Sequence, residues 1–286
     1  GTSVLPGLIP PAMIAGALMF WGLAPDAVTS APGTILAAIL ALEVVAERHA
    51  SWRMTPPEFA TDLFCNVVGY TLIGWCTRFL AEEPLTSLKA ALGLATPWVM
   101  QFPFVAQVGL AVMLIEFGQY RMHRAMHNWG PLRLTHTPHR HITQLNATKG
   151  AVGNAIGLFP ISLSVVALSD VPIAAVCCGL NLLAIVSSFA RANTRCDPPR
   201  WYGSVFTTIR NHSLHRSTGY EETRCNYAGS LILLDRIFGT FRDGAAEGVG
   251  QRRPAPAVDR RSRRCSPSAA DRSHQDPARG LGRGAR

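Results

Sequence analysis

The chain has 286 residues, of which 48% are hydrophobic and only 16% are charged, and its mean hydropathy is +0.16. Soluble domains usually carry about 25% charged residues. The composition therefore excludes a chain disordered throughout, a coiled coil and a small disulfide-stapled protein, and it favours a polytopic membrane protein. The formal net charge is +9. Part of this excess lies in residues 243–286, where an arginine-rich tail beside anionic lipid explains it without a nucleic acid partner.

Six apolar stretches follow one another along the chain, at residues 4–24, 31–47, 58–81, 103–119, 151–170 and 172–190. A helix that crosses the bilayer core needs about 20 residues. We therefore predict six crossings, or four if some stretches lie at the membrane interface. With a cytoplasmic N-terminus, 15 of the 17 Lys and Arg residues that precede the tail fall on the inner side, in agreement with the positive-inside rule.

Two polar stretches, residues 121–150 and 191–242, then lie on the cytoplasmic side together with the C-terminus. Beyond residue 242 the chain is rich in Arg, Pro, Ala, Ser and Gly and has no periodic apolar face, which is typical of disorder. We predict an integral membrane domain over residues 1–242 and a disordered tail over 243–286. The amino-acid composition resembles that of a protein encoded by a GC-rich gene, which favours a bacterial inner membrane.

Six of the nine histidines form three pairs at helical spacing within the two polar stretches: His123 and His127, His136 and His139, and His212 and His215. On a helix the two members of each pair project from one face. Neutral imidazole is a good ligand for iron, zinc and copper. One such pair alone is more typical of a surface or capping role. Three pairs on the same side of the membrane predict a metal site with up to six histidine ligands.

Four segments resemble the fatty acid hydroxylase/sterol desaturase superfamily in order and spacing. Residues 116–127 read EFGQYRMHRAMH, which resembles the first histidine box of that family. Residues 136–140 read HTPHR and residues 212–216 read HSLHR, and both resemble its HxxHH boxes. Residues 226–240 read NYAGSLILLDRIFGT, which is similar to its closing signature. The resemblance covers residues 103–242.

This resemblance implies an all-α, polytopic helical membrane protein with a histidine-lined helical cap on the cytoplasmic side. In that family two iron ions held by histidines activate O2, and a lipid C–H bond is hydroxylated or desaturated. The electrons come from a separate donor protein, and the cofactor carries the difficult chemistry. Glu116 and Asp235 would orient the imidazoles. The metal ligands that the resemblance implies are His123, His127, His136, His139, His212 and His215.

Four positions at which the family carries histidine hold other residues here: Arg140, Ala151, Arg191 and Arg216. Arginine keeps its proton in proteins and offers no lone pair to a metal. Three interpretations follow from these replacements. The chain is an oxidising enzyme with a rearranged or single-metal site, in which His141 is a possible stand-in ligand. Alternatively, it is a degenerate family member that binds lipid without a complete metal site, or it is the product of a decaying gene.

Overall fold

A computed structural model describes residues 5–24, 27–28, 31–140, 142, 144–150, 169–217 and 223–245. Within these ranges the chain is all-helical and has no β-sheet, and an isolated antiparallel bridge joins Glu47 and Thr194. The predicted all-α fold is therefore confirmed. Most of the fifth apolar stretch (151–168) and most of the predicted disordered tail (246–286) lie outside the described residues, so the domain boundary at 242 stays a prediction.

The described residues form nine α-helices, with these bounds: α1 (Ile9–Leu23), α2 (Ala31–Val45), α3 (Pro56–Ala91), α4 (Phe104–Asn128), α5 (Gly130–Arg140), α6 (Ile173–Phe189), α7 (Tyr202–Val205), α8 (Ile209–His215) and α9 (Ile232–Ile237). α3 includes two wide π-helical turns, Gly69–Ile73 and Arg78–Glu82. The second of these turns precedes Pro84, which has no backbone N–H for a helical hydrogen bond. Short 3₁₀ turns occupy Leu5–Leu8, Ala50–Trp52, Pro97–Gln101 and Ala147–Gly150.

Two helices of the described part are long and apolar enough to cross a membrane by length and composition: Leu5–Leu23 and Pro56–Ala91. α3 has 36 residues, so it extends about 54 Å at about 1.5 Å per residue and exceeds a hydrocarbon core of about 30 Å. Its large apolar side chains are exposed, among them Leu72, Trp75 and Leu80, as contact with lipid requires. The number of crossings and their orientation stay predictions.

α4 and α6 pack along each other, and α1 and α2 both pack against α6. Gly179 of α6 permits this close approach, because a Cβ atom there would lie 3.3 Å from the side chains of Ala111 and Val112 of α4. The apolar first half of α4 is thus held in the core. The second half of α4 carries His123 and His127 at its polar end, and this end positions the candidate site.

Candidate metal centre

The six histidines singled out in the sequence converge at the polar end of α4. Each predicted pair lies on one helix, because α4, α5 and α8 carry one pair each. α5 begins directly after Trp129, the residue that caps the C-terminus of α4, and packs against α4. This tight reversal brings the first two pairs together, and α8 adds the third from a distant part of the chain.

Four of the six imidazoles form a compact group, which we call the histidine quartet and which consists of His123, His127, His136 and His215. Five of the ring pairs within the quartet have centroid distances between 4.6 and 5.0 Å. The possible ligand atoms of His123, His127 and His136 all lie within 4.8 Å of one another. His123 is partly exposed and the other three are buried. These three rings are therefore close enough to bind a single ion, and His215 adjoins them through His123 and His127.

Backbone carbonyl groups determine which nitrogen carries the proton in two of these rings. The Nδ1 of His123 donates to the carbonyl oxygen of Tyr227 at 2.6 Å, and the Nδ1 of His215 donates to that of Cys225 at 2.7 Å. A carbonyl oxygen only accepts hydrogen bonds, so each neutral ring has its proton on Nδ1 and its lone pair on Nε2. The two Nε2 atoms lie 3.1 Å apart.

Two lone pairs at this distance repel each other unless a proton or a metal ion lies between them. Bonds of about 2.1 Å from two nitrogens to one divalent ion, at about a right angle, place the nitrogens about 3.0 Å apart. The observed separation of His123 and His215 matches this spacing. A carbonyl oxygen that binds the far ring nitrogen is also the usual support for a metal-binding histidine. The donor set therefore fits a metal ion.

The other two histidines, His139 and His212, form an outer pair at the edge of the quartet. The ring of His139 lies 4.9 Å from that of His136, and the ring of His212 lies 6.0 Å from that of His215. Burial lowers the pKa of both imidazoles well below the usual value, and the positive charges of Arg191 and Arg216 lower it further. Both rings are therefore neutral. Neither nitrogen of the buried His212 ring has a hydrogen-bond partner among the described residues.

Comparison with known protein families finds a match for the part of the chain that contains the six histidines. Residues 108–240 match the fatty acid hydroxylase family. This segment is similar to that family over its full matched length. It contains all three histidine pairs, so the resemblance seen in the sequence is confirmed.

One similar protein is the ornithine lipid hydroxylase OlsE of Rhizobium tropici, which is 28% identical over 152 residues. The aligned region covers 51% of this chain and 45% of OlsE, so the chain spans about half the length of this relative. No solved structure matches the chain.

Asp235, in the closing signature of the hydroxylase segment, holds the loop that supports His123. Its carboxylate accepts hydrogen bonds from the backbone N–H groups of Tyr227 and Ala228, both at 2.8 Å, and from the Thr240 hydroxyl at 2.6 Å. Burial raises the pKa of Asp235, and these three hydrogen bonds oppose the increase. Since the carbonyl of Tyr227 binds His123, Asp235 acts on the imidazole through the Tyr227 backbone.

Glu116 holds the same loop from the side of α4. Its Oε1 accepts hydrogen bonds from the backbone N–H groups of Ser230 and Leu231, at 2.8 and 3.1 Å. Glu116 and Asp235 are both completely buried. The two predicted supporting carboxylates therefore fix opposite ends of one short loop, and their effect on metal binding stays a prediction.

Sequence reasoning missed the carbonyl oxygens of Tyr227 and Cys225, because every residue carries a carbonyl and no side-chain pattern marks the ones that bind histidine. One signal was available in Asn226. This residue has a left-handed backbone with φ 49°, which asparagine tolerates better than most residues. Its side chain accepts from the N–H of Arg242 and donates to the carbonyl of Asn211, and so it fixes the two carbonyls on either side of it.

Two of the replaced histidine positions lie within the described structure, and both arginine side chains are buried. Arg191 is 8% exposed and Arg216 is 4% exposed. Arg191 Nη1 donates to the carbonyl and hydroxyl oxygens of Ser187. Both guanidinium groups act electrostatically on the outer pair, as described above. The Arg140 side chain, His141 and Ala151 lie outside the described residues.

Proposed function

We propose that this protein is an iron-dependent lipid oxygenase that hydroxylates or desaturates a C–H bond. The observation that carries the proposal is the histidine quartet, in which backbone carbonyls hold two imidazoles with their lone pairs 3.1 Å apart. The match of residues 108–240 to the fatty acid hydroxylase family supports the same chemistry. The candidate ligands are the six histidines of the quartet and the outer pair.

Bound iron would supply the activation of O2, which imidazole ligands suit. Hydroxylation consumes one C–H bond, O2, two electrons and two protons, and it yields an alcohol and water. We infer that a separate donor protein supplies the electrons. The protein's own groups would hold the ion, keep the imidazoles neutral and exclude water, since five of the six rings are buried.

A membrane lipid with a polar head group is the substrate class that we propose. The relative OlsE is named as an ornithine lipid hydroxylase, and the apolar helices around the site suit a substrate that enters from the bilayer. We place the enzyme in residues 1–242 as an integral membrane domain of a bacterial inner membrane. The histidine cap and the C-terminal tail would face the cytoplasm, as the Lys and Arg distribution predicts.

A second candidate function is supported by the buried arginines. Two guanidinium groups stand where the family carries metal-binding histidines, and arginine is well suited to bind carboxylate or phosphate. A degenerate member would then bind an anionic lipid and no iron. Both candidates predict a lipid ligand, so the iron content of the protein separates them.

The test is to reconstitute detergent-purified protein anaerobically with ferrous iron and to measure both iron content and oxygen-dependent lipid products by mass spectrometry. A His127→Ala variant removes a buried ring at the centre of the quartet, and we expect loss of iron and of product. His49→Ala is the matched control, because His49 lies outside the six-histidine group and its variant should retain both. Folded wild-type protein without iron would refute the oxygenase and favour lipid binding.

A further inference from the structure

We propose that the histidine quartet binds a single metal ion, and that the buried guanidinium groups of Arg191 and Arg216 replace a second ion beside the outer pair. The inference rests on the proposed metal centre and adds its stoichiometry. It also assigns roles to two residues that the oxygenase proposal leaves unused.

The six imidazoles do not form one evenly spaced group. Each of the four quartet rings lies within 5.0 Å of at least two other quartet rings. His139 instead reaches the quartet through His136 alone, and His212 through His215 alone, among the ring contacts of the described residues. The spacing therefore supplies four donors to one ion and leaves two donors outside it.

Arg216 lies beside His212, one of these two remaining donors. It follows His215 directly and stands four residues after His212, and its backbone N–H donates to the carbonyl of His212 at 3.2 Å. Residues four apart share one helix face, so Arg216 and His212 lie on the same side of the end of α8. The Arg216 side chain is only 4% exposed, which places its charge inside the structure.

Arg191 approaches the same region from the end of α6. Ser187 holds one nitrogen of its guanidinium through both its backbone carbonyl and its hydroxyl group. The positive charges of Arg191 and Arg216 both act on His139 and on His212, and both side chains are buried.

The chemistry of arginine and the number of ligands both argue against a second ion beside the outer pair. A guanidinium group has five N–H donors and no lone pair, so neither arginine can act as a ligand. Within the described residues the outer pair offers two imidazoles, whereas a stable protein site commonly supplies at least three ligands. Two guanidinium groups together also carry the charge of one divalent ion, so they repel such an ion and replace its charge in the site.

The experiment measures metal per chain by mass spectrometry after anaerobic reconstitution with ferrous iron, in the wild type and in the double variant Arg191→His and Arg216→His. We expect one ion in the wild type. We expect two in the double variant, because the new imidazoles join His139 and His212. Arg210→His is the matched control, since Arg210 lies on α8 but its side chain is 61% exposed. This variant should still bind one metal ion per chain.

Cobalt(II) substitution gives a second readout that does not depend on activity. One ion per chain gives an uncoupled paramagnetic resonance signal, and a pair of close ions attenuates it. Two metal ions per chain in the wild type, or only one per chain in the double variant, would overturn this inference. Either result would leave the proposed oxygenase function standing. No metal in a folded wild-type sample would overturn both. If the double variant does not fold, Arg216→His alone is measured, and an unchanged value of one counts against the inference.

Discussion

Replacing Asp235 by asparagine tests whether the loop that carries Tyr227 positions His123 for metal binding. The carboxylate accepts three hydrogen bonds, of which one ends on Oδ2, from the N–H of Ala228 at 2.8 Å. Asparagine keeps only one side-chain oxygen, and its NH2 group would face the backbone N–H of Ala228, which is also a donor. The variant therefore loses that bond and converts the other two from charged to neutral.

The expected effect follows from these three bonds. An orphaned buried N–H group costs about 1–3 kcal/mol, and weakening two charge-assisted bonds adds about 0.5–1 kcal/mol each. We therefore expect the free energy of unfolding to fall by about 2–5 kcal/mol. Because the Tyr227 carbonyl also orients His123, we expect metal affinity to fall by about 10–100-fold, as is usual when the support of a metal ligand is removed.

The assay combines thermal unfolding in detergent with a competitive metal titration. Asp170→Asn is the control, because Asp170 also accepts three hydrogen bonds, from Lys89 and Thr96, and these lie outside the histidine region. The control should lower stability and leave metal affinity unchanged. If Asp235→Asn lowers stability but binds metal as tightly as the control, the reasoning about the Tyr227 loop is wrong.

Three further outcomes follow from the structure. Gly179→Val inserts a side chain 3.3 Å from Ala111, and we expect a loss of about 1–3 kcal/mol in unfolding free energy, whereas Gly16→Val, with open space around it, should change it little. Asp62→Ala leaves the buried Lys149 ammonium without its partner at 3.0 Å, so chemical denaturation should show a loss of about 3–5 kcal/mol. Removing metal with a chelator should lower the melting temperature, because at a free metal concentration about 100-fold above Kd a bound ion adds about 2.7 kcal/mol to the free energy of unfolding. An unchanged melting temperature would argue against a bound ion.

The spacing of residues predicted the local part of the site correctly. Histidines three or four residues apart share a helix face, and each predicted pair lies on one helix. The helix of His123 and His127 continues from the fourth apolar stretch, as expected. The third apolar stretch was predicted to end at residue 81, but α3 continues to Ala91. Hydropathy could not show this, because a helix continues after its apolar part ends wherever its backbone hydrogen bonds persist.

The division of the six histidines into a quartet and an outer pair could not be predicted from the sequence. Their spacing is the same in the second and third pairs, yet His136 and His215 lie in the quartet while His139 and His212 lie outside it. Which member turns inward depends on how α5 and α8 are rotated against α4. For α8 that rotation depends on contacts with α4 between residues 92 positions apart, such as His123 and His215, so local spacing does not define it.

The sequence by itself determined the helical class, the resemblance to the fatty acid hydroxylase family and the candidate metal ligands, because periodicity and side-chain chemistry are local properties. It also showed that arginine replaces histidine at several positions. Only the tertiary structure decided that Arg191 and Arg216 are buried and act electrostatically on the outer pair, and that the Tyr227 and Cys225 carbonyls orient two imidazoles. Those facts depend on contacts between distant segments, and a charge affects a metal site only through its distance and its burial.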